Sequence, residues 1–199
     1  MILNKVNAYI LTGGLSRRFG SDKALAQIEG FTFLDKIHAV VKPFFYQVSS
    51  VGKISYSMNI KFIPDGYKQQ APLVGILTAL KHSSNNWNLI LSVDIPFINQ
   101  DVLQVMIERL NENQDSKIII PLINDQFMPL LAFYHKDCIF EFEKALKKNN
   151  FTIKSIINYM NPVIINMNQF RDELANINTI KQLHKMSRKM STKREIELQ

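Results

Sequence analysis

Lys23 and Asp94 are the residues whose types and settings most directly invite polyanion chemistry. Lys23 lies near the end of the stretch LTGGLSRRFGSDKAL (residues 11–25), which also carries Gly13, Gly14, Gly20, Arg17 and Arg18. Glycines crowded after an apolar run let several backbone N–H groups turn toward one anion. A lysine ammonium can meet the same anion as a point charge, and arginines add further cations. The spacing matches neither G-x-G-x-x-G nor G-x-x-x-x-G-K-[ST], because no glycine directly precedes Lys23. A plain strand-to-helix turn with a solvated basic rim would use the same residue types, and the types alone do not choose between the two.

Asp94 stands in SVDIPFI, directly after the apolar run NLILSV. A carboxylate there is poised at the end of a strand, where Mg2+ could bind it together with phosphate oxygens. An Asx turn or a cap before Pro96 would look the same. Asp65, in PDG after the run KFIP, has the same two readings.

Other chemistries lack their residues. There is no G-x-S-x-G and no H-E-x-x-H, and His38, His82, His135 and His184 show no metal-ligand spacing. The single cysteine, Cys138, excludes an internal disulfide, suits a reducing cytoplasm and reads as a helix core residue. A lysine, loop N–H groups and a metal on Asp94 would supply charge neutralisation and positioning for a polyanion.

The elements that must position these residues follow from periodicity. Residues 5–11, 44–51, 60–65, 87–94, 117–123, 129–135 and 162–166 read as strands. Residues 32–44, 72–83, 99–113 and 136–149 read as helices, and a last one starts near Thr179. Pro72 sits where a helix tolerates it, and Asn99 is placed as an N-cap. Strands alternating with helices predict an α/β fold, a parallel or mixed sheet covered on both faces. Ligands of such sheets bind beyond the carboxyl ends of the strands, where the glycine-rich loop, Asp65 and Asp94 fall.

The chain has 199 residues with 46% hydrophobic content and a net charge of +7. That size predicts one domain over residues 1–186, followed by a basic tail over 187–199. Residues 181–199 hold six basic and two acidic side chains, a local charge of +4. The tail reads as a solvated helix; a nucleic-acid arm is the other reading, without interleaved aromatics to support it. No apolar run is long enough for a membrane span, and the apolar N-terminal run reads as a strand rather than a secretion signal.

With these elements in order, the chain resembles the molybdenum cofactor guanylyltransferase family. LTGGLSRRFGSDKAL is similar to that family's L-[AT]-G-G-x-S-x-R-[MF]-G-x-D-K-x-L, PLVGILTAL to its G-P-L-[AV]-G-[IM], SVDIPFI to its C-D-x-P-[FY], and NINTIKQL to its N-x-N-T-P-x-x-L. QFMPLLAFYHKDC resembles a later strand segment bearing a proline and a short aliphatic run. Ala71 replaces a glycine, Val93 a frequent cysteine and Ile180 a proline.

The resemblance implies a Rossmann-like nucleotidyltransferase fold with a mostly parallel central sheet. It implies Mg2+-dependent transfer of GMP from GTP to the terminal phosphate of molybdenum-bearing molybdopterin, with pyrophosphate released. Carried over by position, Leu11, Thr12, Gly13 and Gly14 would meet the guanine and phosphates, and Lys23 would neutralise the triphosphate. Asp65 would lie at the nucleoside end, and Asp94 would bind the metal. Ser49 is the nearest match, across a gap, to a nucleotide-touching asparagine. Arg17 and Arg18 would face either the triphosphate or the acceptor. Acceptor recognition is expected near residues 121–135 and 150–160. The implied partners are GTP, molybdopterin, and molybdenum-insertion and molybdoenzyme-maturation proteins. A cytidylyltransferase acting on molybdopterin or on a sugar or polyol phosphate is the nearest alternative, although such loops more often read A-A-G where this one reads TGG. A non-catalytic nucleotide-binding adaptor on the same fold is the other.

Overall fold

The computed structural model describes residues 3–13, 19, 22–56, 59–67, 71–148 and 152–197. In chain order these form β1 (Leu3–Leu11), β2 (Gln27–Ile28), β3 (Phe31–Thr32), α1 (Phe33–Val41), β4 (Phe45–Gly52), β5 (Lys61–Pro64) and α2 (Pro72–His82). Then come β6 (Trp87–Ser92), α3 (Gln100–Glu112), β7 (Ile118–Ile123), β8 (Gln126–Phe127), β9 (Leu131–His135), α4 (Cys138–Lys147), α5 (Ile153–Tyr159), β10 (Val163–Asn166) and α6 (Ile180–Glu197).

The main sheet runs β10-β7-β9-β6-β1-β4-β5, with β8 hairpinned onto β7. Its pairs are parallel except those of β9, which lies antiparallel between β6 and β7, and the β7–β8 hairpin. The α/β expectation therefore holds in its mixed form. That hairpin turns through Asn124 and Asp125, both at positive φ (47° and 59°). Asparagine and aspartate tolerate this conformation best among non-glycine residues.

The strand period of two sorts the core into two layers. Ala8, Ile10, Leu89, Leu91, Leu131 and Phe133 join α1, α3 and α6 on one face. Tyr9, Leu11, Ile90, Ala132 and Tyr134 join α2, α4 and α5 on the other. All six residues of β6 are buried, as a central strand covered on both faces requires.

Caps and breakers set the helix limits. The Asn99 side chain accepts from Val102 N at 3.1 Å, as its N-cap position predicts. Thr32 caps α1 by accepting from Asp35 N at 3.1 Å. Helix α1 ends at Val41, before the expected 44, because Pro43 has no N–H to donate to the preceding turn. Periodicity missed α5, whose Ile153, Ile156 and Ile157 dock on the second face. It is seven residues long and rich in β-branched isoleucine, so its docking, not its propensity, makes it a helix.

Helix α6 runs unbroken through the boundary expected at residue 186. Met186 and Met190 pack against the first core layer. Lys189 pairs with Asp172 and Lys193 with Glu173. No helix among the described residues is long and apolar enough to cross a membrane.

Candidate functional site

The chain leaves β1 for β4 and β5 on one side, then returns to place β6 on the other. This reversal opens a crevice at the carboxyl ends of the strands, the place where such sheets bind ligands. Backbone hydrogen bonds hold the strand ends in a row. Thr12 N donates to Val51 O at 2.9 Å, Val93 N to Leu11 O at 3.1 Å, and Asp65 N to Gly52 O at 2.8 Å. The loop after β1 lies directly on Gly52: a Cβ built there would come within 2.4 Å of Thr12 Oγ1 and 3.3 Å of Gly13 N. Only a glycine admits this approach.

A cavity of about 500 Å³ occupies the crevice. Leu11, Thr12, Gly13, Asp65 and Asp94 line it, so the structure gathers these expected site residues around one space. Ala71 and Pro72 also line it, directing the N-terminus of α2, with its free N–H groups, toward the same space. Ser49 does not reach it. Ser49 is fully buried in β4, two residues before Val51, where its hydroxyl accepts from Gln47 Nε2 at 3.0 Å. The strand end that lines the cavity at this point is Gly52 and Lys53. Gly14, Arg17 and Arg18 lie outside the described residues.

Lys23 opens a short 3-10 turn capped by Asp22, whose side chain accepts from Ala24 N. The ammonium reaches 3.0 Å to Asp94 Oδ1 and 2.6 Å to Asn178 Oδ1. The Lys23 and Asp94 side chains are 11% and 31% exposed, so the pair is screened from bulk water on the lysine side and open on the aspartate side. Backbone bonds place both acceptors: Ile177 N donates to Asp94 O and Asn178 N to Gln182 Oε1, each at 2.8 Å. An ammonium has three donors, and two are used here.

Asp65 is held at the other end of the cavity. Its Oδ1 accepts from Tyr67 N at 3.1 Å, and Lys53 Nζ lies 3.4 Å from its Oδ2. Lys53 also donates to the carbonyls of Asp65, at 2.8 Å, and Tyr67. Tyr56 donates its hydroxyl to Asp22. Burial first, then this bond and the charge of Asp22, push the Tyr56 phenol above its ordinary range and keep it a donor.

Asp94 alone among the expected residues could hold a metal. Its second oxygen has no partner among the described residues, whereas both oxygens of Asp22 are engaged. One or two carboxylates suffice for Mg2+ when phosphates and waters complete its shell, so this donor set fits. No cluster of three or more metal-ligating side chains occurs among the described residues. The histidines stay structural or exposed: His82 Nδ1 contacts Thr78 O, and His135 packs edge-on against Trp87.

A second cavity, about 490 Å³, extends from Ser92, Asp94 and Leu130 toward the β7–β8 hairpin and the segment 171–178. Of the region where acceptor recognition is expected, residues 123–124 and 126–130 line this cavity, whereas residues 152–160 do not and include α5 in the core.

Lys23 thus meets a strand-end carboxylate that lines both cavities. Residues 8–163 match the family model described as the MobA-like NTP transferase domain. The chain belongs to this family. It is 32% identical over 157 residues to a probable molybdenum cofactor guanylyltransferase of Natranaerobius thermophilus, covering 75% of this chain and 76% of that one. It is 33% identical over 164 residues to a protein of the same description from Clostridium perfringens, covering 80% and 81%. The crystal structure of molybdopterin-guanine dinucleotide biosynthesis protein A from Archaeoglobus fulgidus superposes with a TM-score of 0.78 at 24% identity, covering 94% of this chain and 99% of that one. That likeness shows the shared fold, and the MobA-like family makes this a nucleotidyltransferase of the molybdenum cofactor branch.

The sequence reading missed Gly52, Lys53, Asp22, Tyr56 and Asn178. Gly52 had a signal, a glycine closing an apolar strand. Asn178 stood in the NINT motif, but its bond to Lys23 crosses 155 positions and has no local signature.

Proposed function

We propose that the chain transfers GMP from GTP to the terminal phosphate of molybdenum-bearing molybdopterin. An acceptor phosphate oxygen attacks the α-phosphorus, the bond from that phosphorus to the bridging oxygen breaks, and pyrophosphate leaves. The observation that carries this reading is the Lys23–Asp94 pair, whose aspartate lines both cavities. The larger set of expected nucleotide residues lies on one side, and a space of suitable size for an acceptor lies on the other.

Both substrates are anions, so the chain's work is to neutralise and align them. Thr12 and Gly13 would approach the nucleotide through backbone groups, with Gly52 leaving room beneath them. Asp65, fixed by Lys53 and Tyr67, would meet the nucleoside end. Lys23 would place positive charge against the phosphates, and Asp94 would hold Mg2+. The metal supplies charge neutralisation and stabilises the departing pyrophosphate. The single cysteine, free and buried, is compatible with the cytoplasmic setting this reading takes.

Incubation of the purified protein with Mg2+, molybdenum-bearing molybdopterin and each of GTP, CTP, ATP and UTP tests the proposal. Guanine dinucleotide product and pyrophosphate are expected with GTP alone. Preference for CTP would overturn the guanylyl assignment, and no transfer from any nucleotide would favour a binding role.

A further inference from the structure

Fifteen of the described residues line the second cavity, and two of those are charged, Asp94 and Arg171. Asn124, Gln126 and Asn176 add neutral amides around it. Arg171 follows the short turn Asn168–Phe170 and is fixed by its N–H donating to Asn168 O. The Asn168 side chain in turn accepts from Asn124 N at 2.8 Å, which ties the Arg171 wall to the hairpin wall opposite.

Arg171 has no counter-ion among the described residues. The two acids that follow it are both committed elsewhere: Asp172 to Lys189 and Glu173 to Lys193 of α6. Arg171 thus lines the cavity with neither acid of its own segment bonded to it. Lys23 is already bonded to Asp94 and Asn178. An anionic acceptor brought toward the Asp94 carboxylate therefore meets, among the described residues lining this cavity, one cation without a counter-ion, Arg171.

We infer that Arg171 recognises the phosphate of the acceptor and selects phosphorylated acceptors over uncharged ones. This rests on the GMP-transfer reading of the site. A guanidinium can donate two parallel hydrogen bonds to a phosphate, which an ammonium cannot reproduce.

Equilibrium binding of molybdopterin and of its dephosphorylated form, without nucleotide, is measured for the parent, Arg171→Gln and Arg171→Lys. Acceptor KM and GTP KM are measured separately in turnover. The glutamine variant is expected to bind molybdopterin at least about tenfold more weakly, the effect of losing charge-assisted hydrogen bonds. Its GTP KM stays within twofold, its affinity for the dephosphorylated form is unchanged, and lysine restores part of the loss. Unchanged molybdopterin affinity in Arg171→Gln would overturn the inference, as would equal loss for both acceptor forms. If the parent uses CTP rather than GTP but shows the expected Arg171 pattern, the guanylyl reading fails and this inference stands.

Discussion

Lys23 Nζ lies 3.0 Å from Asp94 Oδ1 while donating at 2.6 Å to Asn178 Oδ1. One cation thus joins the loop after the first strand, the carboxylate after the sixth, and the segment before the last helix. In the absence of ligand the aspartate balances the lysine that a triphosphate would need.

Lys23→Ala is expected to lower transfer at least 10²-fold, the cost of losing one donor to transition-state charge. Steady-state turnover, with circular dichroism to confirm the fold, checks this. Near-parental rates would remove Lys23 from the reaction.

Asp94→Asn keeps the shape of the side chain but removes the charge that Mg2+ needs. The variant is expected to stay folded and to lose metal-dependent turnover. A magnesium titration at fixed GTP reads the result; full activity independent of metal would release Asp94 from its role.

Gly52→Ala puts a methyl 2.4 Å from Thr12 Oγ1. A loss of about 1–3 kcal/mol is expected from overpacking, with a raised GTP KM because the loop is pushed into the cavity. Adding Thr12→Ala removes the clashing oxygen and should return most of the melting temperature. If the double variant melts no higher than Gly52→Ala, the clash is elsewhere.

Burial pushes the Cys138 thiol up to about 12 from its ordinary 9.0. The folded chain therefore keeps a proton that the unfolded chain sheds above pH 9. The stability this group contributes is full below pH 9 and declines as pH rises toward 12. Denaturant titrations at several alkaline pH values should show a shallower decline for Cys138→Ala. Iodoacetamide at pH 8 should label the native protein far more slowly than the unfolded one, and equal rates would contradict the buried thiol.

Lys193 and Lys189 make a natural contrast on one helix. Glu173, the partner of Lys193, has a side chain only 3% exposed, and its second oxygen has no hydrogen-bond partner. Lys193→Met should cost about 1–3 kcal/mol by stranding a buried carboxylate. Lys189→Met breaks a more exposed pair with Asp172 and should cost about 0–1 kcal/mol. Chemical denaturation of the two variants compares them directly, and equal effects would refute the difference in burial.

Local patterns were legible wherever one face of an element meets the core. The strand over 5–11, the continuous apolar run of β6 and the Asn99 cap each appear in the structure as the residues predict. Leu11, Thr12, Gly13, Asp65 and Asp94 could be placed because each follows a recognisable strand. Helix α5 could not, since tertiary docking overrides its weak propensity. Lys53 escaped notice because its work is done on carbonyls of Asp65 and Tyr67 across a neighbouring strand. Ser49 lies within β4 and lines neither cavity, because the strand runs on to Gly52 before its backbone reaches the crevice.

The Asn178–Lys23 bond also bears on biosynthesis. A ribosome must deliver nearly all of the described chain before Asn178 can reach a lysine made 155 residues earlier. Until then the first loop can fold on its strands, but its cation lacks one of its two anchors. A nascent or prematurely ended chain would carry the glycine-rich motif without the completed site, so the ability to do chemistry should arrive late in translation.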